Sequence, residues 1–164
     1  MRKIIAIEGV PGTGKSPLMK AFLGQYVWQT VQPVPLVDAL YCEELDLFVI
    51  GKYEDGETFP GTDRLSMGVQ PNAEKFVKET KSNVIFEGDR LTNWKFYNFL
   101  MGLTDTEFNI VVLKVESHIL KIRYDQRGSD QSETFLKGRE TKIKNIENNM
   151  EMWDYTSTFK NSCL

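Results

Sequence analysis

Residues 4–16 read Ile-Ile-Ala-Ile-Glu-Gly-Val-Pro-Gly-Thr-Gly-Lys-Ser, an apolar run that stops at an acid and turns through glycines into Lys15-Ser16. An apolar run that is continuous rather than alternating suits a strand buried on both faces, and predicts one over residues 2–7. Beyond it, Leu18, Met19, Phe22, Leu23 and Tyr26 recur at helical spacing and predict a helix from Lys15 to Val27. Pro17 falls in its first turn, where a missing N–H does no damage. The connection between strand and helix, Gly9 to Ser16, satisfies G-x-x-x-x-G-K-[ST] in full. In such a turn the backbone N–H groups converge on phosphate oxygens, and the positive end of the helix points to the same place. Gly9, Val10, Pro11, Gly12, Thr13, Gly14, Lys15 and Ser16 are therefore predicted to hold a nucleotide's phosphates. Lys15 would reach the β- and γ-phosphates and the Ser16 hydroxyl would join a Mg²⁺ shell.

The rest of the chain alternates in the same way. After a loop at Gln32–Pro35, Leu36–Glu43 and Leu47–Tyr53 read as short strands with a turn near Glu44–Asp46. Residues 53–71 contain Asp55-Gly56 and Pro60-Gly61 and predict a long loop, a feature that usually serves function in a compact domain. Pro71–Thr80 and Leu91–Leu103 predict helices, and Asn83–Phe86 and Phe108–Val115 predict strands. Ser117 opens a helix carrying Ile119, Leu120, Ile122 and Tyr124. A polar segment from Arg127 to Ser132 then leads into a charged helix from Glu133 to Met152, and the tail from Tyr155 has room for a short edge strand. Strands alternating with helices predict a three-layer α/β/α sandwich around a mostly parallel sheet, as a single domain over 1–164. Ligands of such sheets bind beyond the carboxyl ends of the strands.

Composition removes several function classes. A chain of 164 residues, 41% hydrophobic and 26% charged, is of ordinary globular type. A net charge of −3 argues against a generic nucleic-acid coat while permitting a local basic groove. Cys42 and Cys163 form no spaced pair, which speaks against a disulfide framework or a structural zinc cluster. Met1-Arg2-Lys3 and the apolar run after it could open a signal peptide, but the run ends at Glu8 without a small-residue cleavage site. No stretch approaches the roughly 18 apolar residues that cross a membrane. The expectation is a cytoplasmic protein with reduced thiols and no membrane partner, its oligomeric state open.

A nucleotide site of this kind needs an acid at the end of a neighbouring strand, to hold Mg²⁺ or take a proton. Glu87-Gly88-Asp89-Arg90 follows the apolar Asn83–Phe86 and supplies Glu87 and Asp89 on one side of the strand. A capped turn into the next helix is the plainer reading of the same residues. Asp63-Arg64 repeats the Asp-Arg pair on the long loop. One Asp accepts the acceptor hydroxyl's proton while an Arg steers charge, so Asp63 or Asp89 is the candidate base, and Asp63, Arg64, Glu87 and Arg90 are candidates for binding the acceptor. Asp63 serves equally as an acceptor ligand, and a surface ion pair is the plainer alternative. Arg123 and Arg127 share a helix face and are candidates to close over the transferring phosphoryl. The later lysines, Lys137, Lys142 and Lys144, read as a solvated face. His118 reads as structural. Trp94, Tyr97 and Phe99 read as helix packing, and Tyr53 and Phe59 as rings open to base stacking.

With these residues in place, the chain resembles the P-loop kinases of nucleosides and nucleotides. The resemblance rests on Gly9–Ser16, the strand-end EGDR, and VVLKVESHILKIRYDQR, where those kinases place R-x-x-x-R. It implies a P-loop NTPase fold with a short helical lid over about 123–140. It also implies ATP and Mg²⁺ as cofactors, with Ser16 and Glu87 as metal ligands and Lys15, Arg123 and Arg127 as catalytic cations. The γ-phosphoryl would pass to a hydroxyl of a nucleoside, nucleotide or modified base. VIGKYEDGETFPGTDRLSMGVQP with VIFEGDRL is similar, more narrowly, to phage-type kinases that phosphorylate 5-hydroxymethyluracil in DNA during base hypermodification. That likeness implies that Gly61-Thr62-Asp63-Arg64 lies on the acceptor side, that Asp63 or Asp89 activates the hydroxymethyl oxygen, and that the protein works in a host's cytoplasm. Ser16-Pro17 departs from the second hydroxyl common after the loop lysine, although one hydroxyl suffices for Mg²⁺.

Two other classes compete. A GTP-hydrolysing switch usually carries N-K-x-D late in the chain, and none occurs. A ring-forming ATPase acting on nucleic acid fits the small size and the absence of a further arginine-finger segment less well.

Overall fold

The computed structural model describes residues 1–56, 60–128, 132–149 and 154–160, and of Arg127 the backbone alone. Among them, seven strands form one sheet: β1 Arg2–Glu8, β2 Gln29–Val34, β3 Val37–Cys42, β4 Leu47–Ile50, β5 Asn83–Glu87, β6 Thr106–Lys114 and β7 Thr156–Lys160. Their order is β2-β3-β4-β5-β1-β6-β7. The four pairings from β4 to β7 are parallel, and the hairpins β2–β3 and β3–β4 are antiparallel. The helices are α1 Lys15–Leu23, α2 Gln70–Glu79, α3 Trp94–Met101, α4 Ser117–Arg127 and α5 Glu133–Asn148. β1 lies between β5 and β6, with Ile7 opposite Glu87 and Glu8 opposite Val112.

Strand alternation divides the core into two layers. Ile4 and Ala6 of β1, Val84 and Phe86 of β5, and Phe108, Ile110 and Val112 of β6 point to one face. There they pack against Ala73, Phe76 and Val77 of α2, Phe96, Tyr97 and Leu100 of α3, and Ile146 of α5. Ile5, Ile7, Ile85, Val111 and Leu113 point to the other, against Met19, Phe22 and Leu23 of α1. Each large side chain buried this way stabilises the fold by roughly 1.5–3 kcal/mol. The result is the expected α/β/α sandwich on a mostly parallel sheet. No helix among the described residues is long and apolar enough to cross a membrane.

Several boundaries differ from expectation. Gln29–Val34 is an edge strand that takes in Gln32–Val34, the start of the expected Gln32–Pro35 loop. Pro33 is tolerated there because a missing N–H does little harm on an edge. α1 ends at Leu23, not Val27, capped by Gly24. The third helix starts at Trp94 rather than Leu91, because the Asn93 side chain accepts the Phe96 N–H and sets the N-cap. β4 stops at Ile50, and Lys52 instead forms an antiparallel bridge with Gly61. The edge strand allowed for in the tail is β7, parallel to β6. Cys42 is a buried free thiol, whereas Cys163 lies outside the described residues.

Candidate active site

The loop from Gly9 to Ser16 joins β1 to α1 and is tied largely to itself. Thr13 donates from its N–H and its hydroxyl to the Val10 carbonyl, at 3.3 and 2.8 Å. The Lys15 ammonium donates to the Gly9 carbonyl at 2.5 Å and to that of Val10 at 3.4 Å. Lys15 forms no ion pair within 4.0 Å among the described residues. Burial pulls its pKa below the ordinary lysine value, and Arg139 pushes the same way, against Glu87, Asp63 and Glu8. A part-buried ammonium hydrogen-bonded to neutral carbonyls is a site that an anion completes. Gly12 sits at φ +88, and a Cβ there would come 3.0 Å from the Tyr124 ring. Glycine is what lets α4 seat on the loop so closely.

α4 holds that seat by two bonds. Arg123 Nη1 donates to the Gly12 carbonyl and the Tyr124 hydroxyl to that of Pro11, both at 2.5 Å. The structure thus brings Arg123 to the phosphate loop. Arg127 ends α4, and its side chain lies outside the described residues.

Glu87 closes β5 and is almost wholly buried. Its carboxyl accepts the Tyr53 hydroxyl at 3.3 Å, and the Ser16 hydroxyl lies near enough to favour its charged form. Burial pushes its pKa up to about 7; Asp63 adds to the rise, while Lys15, Tyr53 and Ser16 oppose it. Ser16, Lys15 and Glu87, chosen separately in the sequence, therefore meet. A hydroxyl and a strand-end carboxylate beside a phosphate loop are the donor set that Mg²⁺ takes alongside phosphate oxygens.

The long loop returns to this point. Lys52 and Gly61 exchange two backbone hydrogen bonds of 3.1 and 2.8 Å, and a 3-10 turn, Thr62–Arg64, follows at once. Gly88, at φ +106, packs so closely on this turn that a Cβ would lie 2.5 Å from Thr62 Oγ1 and 3.1 Å from the Asp63 nitrogen. Asp63 Oδ1 accepts the Asp89 N–H at 2.7 Å. The two Asp-Arg pairs of the sequence do not pair internally. Arg64 reaches Glu54 at 3.2 Å, and Arg90 Nε donates to the Leu65 carbonyl at 3.3 Å. The Asp89 carboxylate takes Arg139 at 2.9 Å and Lys142 at 2.7 Å, both from α5.

Lys142 is thus a correction. It was expected on a solvated face, but it anchors α5 to the end of β5. Lys137 and Lys144 do lie on that face, in i,i+4 pairs with Glu133 and Glu140. The difference lies in tertiary position: helix periodicity shows which residues share a face, not which strand end the face meets. His118 is exposed beside Glu116 at 3.5 Å. Tyr97 is buried, Trp94 is 42% exposed, and Phe59 lies outside the described residues.

Glu8 is a residue that sequence reasoning passed over. It is 1% exposed, accepts the Tyr97 hydroxyl on Oε1, and leaves Oε2 buried with no partner among the described residues. Burial raises its pKa to about 8; Glu147 adds to this, and Lys142 and Lys15 oppose it. The signal was present: Glu8 continues the Ile4–Ala6 alternation, which sends it under α3 and α5 rather than into solvent.

No curated protein matches the sequence. Residues 1–159, nearly the whole chain, match the family model described as P-loop Nucleotide Kinase3. The strand, loop and helix that carry the phosphate site are inside that match, so the chain belongs to the P-loop nucleotide kinases, a nucleotide-binding family of phosphotransferase type.

Proposed function

We propose that the protein is an ATP-dependent phosphotransferase that moves the γ-phosphoryl to a hydroxyl of a nucleic-acid building block or modified base. The 5-hydroxymethyl group of hydroxymethyluracil in phage DNA is the leading acceptor. One observation carries this reading: the turn bearing Asp63 is pinned to the end of β5, where Asp63 is felt electrostatically by both Lys15 and Glu87. A proton acceptor beside a phosphate loop is what transfer to a hydroxyl requires.

In this reading the acceptor oxygen attacks the γ-phosphorus, the bond to the β–γ bridging oxygen breaks, and ADP leaves. Asp63 takes the hydroxyl proton. Asp89 is the weaker candidate for that role, because Arg139 and Lys142 already occupy its carboxylate; it serves to anchor α5. The loop amides and Lys15 hold the donor phosphates, and Arg123 and Arg127 supply charge to the phosphoryl in flight; of the lid expected over about 123–140, residues 129–131 lie outside the described residues. Ser16 and Glu87 would hold Mg²⁺, which supplies charge neutralisation between the β- and γ-phosphates. Arg64 and Arg90 line the acceptor side.

A deoxynucleoside or nucleoside monophosphate kinase is the second reading. The net charge of −3 favours it, because a duplex acceptor attracts a basic surface. Both are tested by supplying γ-labelled ATP with hydroxymethylated DNA, 5-hydroxymethyl-2′-deoxyuridine, its monophosphate and common deoxynucleotides. Label on an acceptor supports transfer and identifies its class; label only in free phosphate overturns it.

A further inference from the structure

Between the second half of α1 and β3 lies an open cleft of about 360 Å³, within the usual size of small-molecule sites. Leu23 and Leu40 give it apolar surface, Trp28 and Tyr53 give it two rings, and Lys20, Glu54 and Asp55 give it charge. The Trp28 ring is fixed: its N–H donates to the Leu23 carbonyl at 2.8 Å, and Phe22 and Tyr26 meet it edge-on at 5.8 and 6.5 Å. Ring surface already fixed by packing binds a planar ligand at little cost in ordering. Two neighbouring lining residues lead straight to the site described above. The Tyr53 hydroxyl bonds Glu87 at 3.3 Å, and Glu54 bonds Arg64 of the acceptor turn at 3.2 Å.

The charges select the ligand. Glu54, held by Arg64, and Asp55 face the single Lys20, a balance that disfavours a phosphate and favours an uncharged ring with N–H groups to donate. We propose that this cleft takes the nucleobase of the phosphoryl acceptor, with Trp28 and Tyr53 as its aromatic contacts and Asp55 accepting a ring N–H. A uracil-type base presents an imide N–H for a carboxylate and carbonyls for Lys20. The proposal rests on the phosphotransferase reading and sharpens it. A base seated here cannot also be stacked in a duplex, so an acceptor in DNA is taken single-stranded or flipped out.

The test is calorimetric binding of 5-hydroxymethyl-2′-deoxyuridine and, separately, of ATP to the wild type and to Leu40→Trp, which fills the cleft. The expected result is a loss of nucleoside affinity of about tenfold or more, the scale of one base–aromatic contact, with ATP affinity unchanged. Nucleoside affinity within about twofold of wild type, with ATP binding intact, overturns the proposal, as does a wild type that binds no nucleoside. If Leu40→Trp also loses ATP, Asp55→Lys at the exposed rim is read by the same two criteria. The two readings fail separately. Transfer that is seen but insensitive to both variants removes the cleft and leaves the kinase. Nucleoside binding that these variants abolish, without any transfer, leaves the cleft and removes the kinase.

Discussion

The loop at Gly9–Ser16 is held mostly by bonds among its own residues, whereas the turn at Thr62–Arg64 is held in place by groups from distant parts of the chain. The loop's internal bonds run between residues six or fewer apart, and Arg123 and Tyr124 of α4 add two bonds from a distant part of the chain. The turn depends on Lys52, Gly88 and Asp89, and Asp89 depends in turn on Arg139 and Lys142 of α5. A site made from local backbone leaves a spaced motif in the sequence. One made from distant side chains does not, because its partners become neighbours only when the sheet forms.

The sharpest way to break this contrast is on the loop side. Lys15→Ala should lower phosphoryl transfer by about a thousandfold or more, the scale of removing a cation from a developing phosphoryl charge, with the thermal midpoint unchanged or raised. Labelled-ATP kinetics and calorimetry check both halves, and retained activity would remove the loop lysine from the chemistry. On the acceptor side, Asp63→Asn should cut kcat by roughly a hundredfold or more, as for a lost general base, while KM for ATP stays constant. If Asp89→Asn produces that pattern instead, the roles of the two acids are exchanged.

Smaller effects separate the two sides by stability. Gly88→Ala should cost about 1–3 kcal/mol in urea unfolding, since a methyl group must fit at φ +106 against the Thr62 hydroxyl. Glu8→Gln tests the buried carboxyl through pH. Its folded pKa of about 8 stands above the ordinary 4.5. Its share of stability is therefore full below the ordinary value and lost as pH rises through about 8. The wild type should lose stability over that window, and Glu8→Gln should flatten the slope, leaving the share of Glu87, which runs in the same direction. Lys144→Ala, on the solvated face, should change stability by less than about 0.5 kcal/mol. A larger loss there would mean that α5 is not divided into an anchoring and a solvated face.

What the sequence made legible follows the same division. The buried strand, the loop and α1 were plain because continuous apolarity, glycine spacing and helical periodicity each act over a few residues. Glu87 was found because it ends an apolar run, and its place beside the loop follows once β5 and β1 are parallel neighbours. Lys142 was misplaced because nothing within α5 distinguishes it from Lys144 except what lies opposite. Gln29–Val34 was missed because an edge strand with both sides largely exposed carries no alternation to read.

The bridge between Lys52 and Gly61 closes residues 53–60 at their base with two backbone hydrogen bonds. Backbone bonds do not depend on which side chains the enclosed residues carry, and lengthening a surface loop costs little extra closure entropy. The closure therefore does not rest on the side chains of Tyr53, Glu54 and Asp55, although Tyr53 and Glu54 tie their segment to Glu87 and Arg64. With the cleft taking an acceptor base as proposed, a change at Asp55 would retune that cleft while the Lys52–Gly61 bridge keeps the Asp63 turn in place.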